Sequence, residues 1–208
     1  MTRIVTALLL VLAALLQGCA AVVVGAAAGG AMVAVDRRQP DVMATDERIE
    51  IQASSRISEL FKDKGHINVT SFNRQVLLTG EAPTEALKQD AERAAATTPE
   101  VKNVINEMTI GPPTSFSQRS NDSYLTSVVK SRFVTAQKFN PIHVKVITEA
   151  GTVYLMGMVT KREADDATQI ARTTSGVKRV VRVFEYLPDP PPPKPAPAAP
   201  AEPAAQAK

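Results

Sequence analysis

Along the middle of the chain apolar positions follow two spacings in turn, and the whole succession occurs twice. From Asp46 onward Ile49, Ala53, Ile57 and Leu60 recur every three or four residues, the stripe of an amphipathic helix. Residues 67–72 and 75–79 are strand-like on either side of Asn73-Arg74, a short turn signal. A helical stretch over 84–96 and an alternating strand over 101–110 complete the first set. The second set opens at Asn121-Asp122, with Leu125, Val129 and Phe133 four residues apart. Strands over 143–148 and 152–156 flank Ala150-Gly151, a helix spans 161–174 and is closed by Ser175-Gly176, and a strand covers 177–186.

The two sets are copies of one unit. Val76-Leu77-Leu78-Thr79-Gly80 matches Val153-Tyr154-Leu155-Met156-Gly157 at an offset of 77 residues. One extra residue near Pro83 changes the offset to 76, which places Thr84 on Thr160, Asp90 on Asp166, Val101 on Val177 and Val104 on Val180. Two copies are too few for a solenoid, so each must close a small core of its own. The order helix, strand, strand, helix, strand predicts an α+β fold. Each copy carries a three-stranded mixed sheet covered on one face by two helices, with a right-handed crossover between its parallel strands.

Both ends differ from this middle. Arg3, the largely apolar run over 4–16 and Gly18 compose a secretory signal peptide over 1–18. The run is short for a membrane span of about 20 apolar residues; the Ala- and Gly-rich stretch after it keeps a transmembrane reading open. Leu16-Gln17-Gly18-Cys19 resembles the bacterial lipobox, with Gln17 where a small residue is usual. That resemblance implies acylation of Cys19, palmitate included. Ala20 in place of Asp implies onward export to the outer membrane. Residues 19–45 are then a lipidated linker, 46–112 and 113–187 the two domains, and 188–208 a Pro/Ala-rich disordered tail holding nine of the fifteen prolines.

Composition narrows the chemistry. A single cysteine excludes a disulfide framework, and no Cys or His pair has metal-ligand spacing, so neither metal nor cofactor is expected. His66 and His143 stand at equivalent strand starts, which suits an ordinary half-exposed role better than acid/base work. Asp46-Glu47 and Asp165-Asp166 read as first-turn helix acids rather than paired catalytic carboxylates. Gly80 and Gly157 close strands where a side chain would obstruct neighbouring backbone, a structural role. No enzyme is expected.

The net charge of +3 hides an asymmetry. Residues 46–112 hold 8 Lys and Arg against 11 Asp and Glu, a net −3; residues 113–187 hold 11 against 6, a net +5. The second copy therefore suits an anionic surface. Its first helix adds Tyr124 and Val128 as an apolar pair beside the core stripe, Val134 on the flank, and Lys130, Arg132 and Lys138 as nearby cations. A tyrosine ring with a polar tip fits the membrane–water boundary. Spacing alone equally allows Tyr124 and Val128 to pack against the first copy or the linker over 111–119.

A strand with a late glycine, an Ala-rich helix and then Val-Lys-x-Val resembles the BON domain. Ile67-Asn68-Val69-Thr70, Ser120-Asn121-Asp122, Leu155-Met156-Gly157 and Ser175-Gly176-Val177-Lys178-Arg179-Val180 carry the likeness. With the lipobox, the chain resembles the dual BON-domain outer-membrane lipoproteins associated with division and outer-membrane stress. The resemblance implies a periplasm-facing, non-enzymatic protein that binds anionic phospholipid through the first helix of its second BON unit, gathers at division sites and supports outer-membrane integrity. Relatives carry a larger aromatic where this chain has Tyr124. The alternative is an adaptor whose basic face docks onto outer-membrane assembly machinery. The export signal speaks against nucleic acid as a partner.

Overall fold

The computed structural model describes residues 36–62 and 64–189. Cys19, the signal peptide and most of the proline-rich tail lie outside these described residues. In chain order the elements are α1 (Pro40–Phe61), β1 (His66–Phe72), β2 (Gln75–Ala82), α2 (Glu85–Ala96), β3 (Asn103–Asn106), β4 (Thr109–Ile110), α3 (Phe116–Ala136), a short 3₁₀ turn (Pro141–His143), β5 (Lys145–Glu149), β6 (Thr152–Val159), α4 (Lys161–Arg172) and β7 (Arg179–Tyr186). Among the described residues no helix is long and apolar enough to cross a membrane.

Both units follow the expected order. β1 pairs antiparallel with β2, which pairs parallel with β3 and β4; β5, β6 and β7 repeat the arrangement. In the first unit the expected third strand over 101–110 is broken, because Met108 turns inward to 2% exposure and Asn106 Oδ1 accepts from its N–H. That sheet therefore counts four strands. His143 belongs to the 3₁₀ turn rather than to a strand, since Pro141 starts the turn and the Asn140 side chain accepts from Ile142 N.

Helix starts depart most from the sequence reading. α1 begins at Pro40, six residues before Asp46, and proline at a first helical position loses no hydrogen bond. α3 begins at Phe116, five residues before Asn121, behind a capping box in which Ser115 and Gln118 exchange bonds. Along α1 the buried stripe is Ile49, Ala53, Ile57 and Phe61 in strict four-residue steps, which leaves Leu60 exposed.

Strand alternation buries both faces of each sheet. Val76, Leu78 and Ala82 turn toward α1 and α2, and Val153, Leu155 and Val159 toward α3 and α4. The opposite faces meet each other: Phe72 and Leu77 of the first unit form one apolar cluster with Tyr154, Met156 and Val183 of the second. The result is four layers, helices outside and two sheets within. Polar bonds edge this seam, with Lys145 Nζ 2.7 Å from Glu50, Asn73 Nδ2 2.7 Å from Glu185 and Arg179 3.0 Å from Glu107. Glu50 is thereby a bridge between the units and also accepts from Ser71 N.

Candidate functional site

α3 carries two apolar faces. Leu125, Val129 and Phe133 are buried in the second core, while Phe116, Tyr124 and Val134 stand 79%, 66% and 63% exposed. Phe116 and Val134 are 18 residues apart, five whole turns, so they share a face about 27 Å long, with Tyr124 at its shoulder. Val128 is half-buried beside it. Tyr124 therefore does not pack against the first unit or the linker.

Small hydroxyl residues fill the surface between these side chains. Ser123 Oγ donates to Arg119 O, Ser127 Oγ to Ser123 O, and Thr135 Oγ1 to Ser131 O, each one turn back. These three O–H groups are satisfied by the helix itself, so they can approach an apolar medium without being stranded.

The three cations differ in their engagement. Lys130 is exposed and has no ion pair among the described residues. Arg132 reaches across to α4, donating to Ile170 O at 2.9 Å and Thr174 Oγ1 at 2.6 Å, so it caps that helix's C-terminal end. Lys138 pairs with Asp166 at 2.7 Å. A helix starting at Asn121 omits Phe116; the Ser115-x-x-Gln118 spacing is the sequence signal for the earlier start.

The glycines and acids hold the scaffold. Gly80 and Gly157 lie inside β2 and β6, two residues before each strand's end. A Cβ at Gly80 would sit 2.0 Å from His66 O, and one at Gly157 2.2 Å from His143 O. Gly80 also has φ +107°, which favours glycine. Asp46 is not a first-turn acid: like Asp122 it is buried, and each grips the hairpin turn of its own sheet. Asp46 accepts from Asn73 N, Arg74 N and Ser71 Oγ; Asp122 accepts from Ala150 N and Gly151 N. Asp165 pairs with Arg182 at the surface.

Two titratable groups stand out near the seam. Burial pushes Glu149 up to about 7, against the Asn68 amide that donates to it. Burial works to raise Glu163 too, yet the Arg37 guanidinium and the Thr160 N–H outweigh it and bring it down to about 2. Among the described residues no three His, Cys, Asp or Glu side chains gather to hold a metal.

Two repeated α+β units, packed sheet to sheet, with an exposed apolar face on α3, define a tandem-domain protein. The BON domain family matches residues 45–112 and 121–188. The chain is 40% identical over 164 residues to the outer membrane lipoprotein DolP of Haemophilus influenzae, covering 76% of this chain and 85% of that one. It is 34% identical over 155 residues to the 21 kDa hemolysin of Actinobacillus pleuropneumoniae, covering 74% and 80%. A solved structure of CdsD, a structural protein of the type III secretion system of Chlamydia trachomatis, aligns over 65% of this chain and 92% of its own at 13% identity and a TM-score of 0.29, too loose to carry an argument. The chain belongs to the BON-domain family and is a dual BON-domain outer-membrane lipoprotein.

Proposed function

We propose that this lipoprotein is a non-catalytic phospholipid-binding protein whose α3 face lies on an anionic membrane surface, supporting outer-membrane integrity at division sites. The observation that carries the reading is the exposed Phe116, Tyr124 and Val134 face, whose intervening hydroxyls bond back into the helix. A cation near an anionic leaflet contributes about 1 kcal/mol. With Arg132 and Lys138 already engaged by α4, Lys130 supplies that term on α3, and insertion of the aromatic rings supplies the rest. Such attachment is weak alone and suited to a protein already tethered, and the lipobox-like Leu16-Gln17-Gly18-Cys19 supports Cys19 as the acylated residue after removal of the signal peptide.

The test is flotation of residues 36–189, which contain both cores whole, with vesicles of graded anionic lipid content. Recovery with the vesicles is expected to rise with anionic lipid and to disappear in Tyr124→Glu and Phe116→Glu, both with unchanged circular dichroism. Lys130→Ala lowers apparent affinity about fivefold. A folded fragment that fails to float on any vesicle sinks the lipid reading and leaves docking onto assembly machinery. In cells, the Cys19→Ala chain leaves the outer-membrane fraction; its retention there would refute Cys19 as the anchor.

A further inference from the structure

We infer that the junction between the two BON units is proton-sensitive, with Glu149 as the group that binds the proton. Glu149 ends β5 at 6% exposure, at the margin of an open cleft of about 350 Å³ between the units. From β1 of the other unit Asn68 Nδ2 donates to its Oε2 at 2.6 Å, and His66 Nε2 lies 3.8 Å from its Oε1. Glu81 acts on it from β2, and Asp122 and Arg119 act from α3; Tyr154 on β6 feels its charge in turn.

Three buried carboxyl groups thus share the neighbourhood of one half-buried guanidinium, and they are unequally served. Two backbone N–H groups donate to Asp122, and Thr114 N and Oγ1 both approach Glu81. Among the described residues one neutral amide, that of Asn68, donates to Glu149. His66 does not offset it with charge, because burial and Arg119 hold the imidazole below its usual pKa. Glu149 has the poorest set of donors of the three, and burial and like charge favour its protonated form.

The direction follows from linkage. When the junction opens or the chain unfolds, the Glu149 carboxyl returns toward its ordinary value of 4.5, whereas in the closed junction it releases its proton near 7. Between those limits the closed form holds a proton that the open form lacks, so closure is strongest at the acid end. It weakens as pH rises toward 7 and is constant above. Protonation of Glu149 tightens the junction, while His66, held below its ordinary value, opposes it where the imidazole protonates.

The full chain in mild detergent provides the test. Glu149→Gln keeps the acceptor for Asn68 but cannot ionise. It is expected to melt several degrees above the wild type at pH 8, with the gap closing as pH falls toward 5. Amides of β1 and β5 in the wild type should show several-fold lower protection at pH 8 than at pH 5 after correction for intrinsic exchange, and the variant should show none of this difference. A gap that stays constant with pH overturns the inference. A carbon-13 titration of the Glu149 carboxyl in the wild type decides the matter even where the variant fails to fold. A midpoint near 7 supports the junction, and one near 4.5 overturns it.

Discussion

Asp46 and Asp122 show how a single side chain can define a repeat. Each projects from the first helix of its unit to the turn between the first two strands, which has positive φ at Asn73 and Arg74, or at Ala150 and Gly151. Loss of the Asp122 carboxylate strands the buried Gly151 N–H and the part-buried Ala150 N–H, at about 1–3 kcal/mol apiece. Asp122→Ala should therefore lose about 2–4 kcal/mol in chemical denaturation, and Asp122→Asn distinctly less. Gly157→Ala should fail differently, through the 2.2 Å clash with His143 O, and its unfolding midpoint should fall even with every hydrogen-bonding side chain intact. The glycines were legible in the sequence because repetition at equivalent strand positions marks a close approach. Asp46 is not legible in this way, because a helix-start acid and a turn-gripping acid are the same letter until the helix's true beginning is known.

Among the helices, α3 is the one whose pattern conceals its role. Apolar residues on both faces cancel any single stripe, so periodicity finds the buried face and underestimates the exposed one. Its cations divide the same way. Arg132 closes α4 through Ile170 O and Thr174, so Arg132→Ala is expected to cost about 1–3 kcal/mol of stability with a secondary effect on lipid. Lys130→Ala should leave the melting curve unchanged and affect flotation alone. Measuring both properties on both variants separates a helix cap from a surface contact. An equal loss of stability in the two would show that the assignment of Arg132 to α4 is wrong.

The assembled chain is more than two tethered units. Just before α1, Arg37 donates to Met158 O and to both oxygens of Glu163 in the second unit, while Arg38 pairs with Asp46 and lies 4.0 Å over the Phe72 ring in the first. The segment leading in from the linker thus buckles the two together. Arg37→Ala should increase amide exchange around Met158 and at the start of α4 and lower the cooperativity of unfolding. Glu163 sets a pH signature of the opposite sign to Glu149. Its folded value near 2 lies below the ordinary 4.5, so its contribution is complete above 4.5 and is lost as pH falls toward 2. In Arg37→Ala the acid limb of the stability profile, followed by thermal melting from pH 2 to 5, should flatten.

Local pattern by itself determined the duplicated order of elements, the helix-facing cores and the charge difference between the copies, because periodicity and composition are properties of neighbouring residues. The back-to-back seam was not determined this way. Leu77, Tyr154, Met156 and Val183 occupy alternate strand positions that would meet water in an isolated sheet, and only the presence of the sister sheet makes them core. The partners of Glu149, Glu163 and Arg132 come from segments far away in sequence, brought together by that packing. Which acid keeps a proton and which cation remains exposed depend on distances and burial, and those exist only once the four layers have closed.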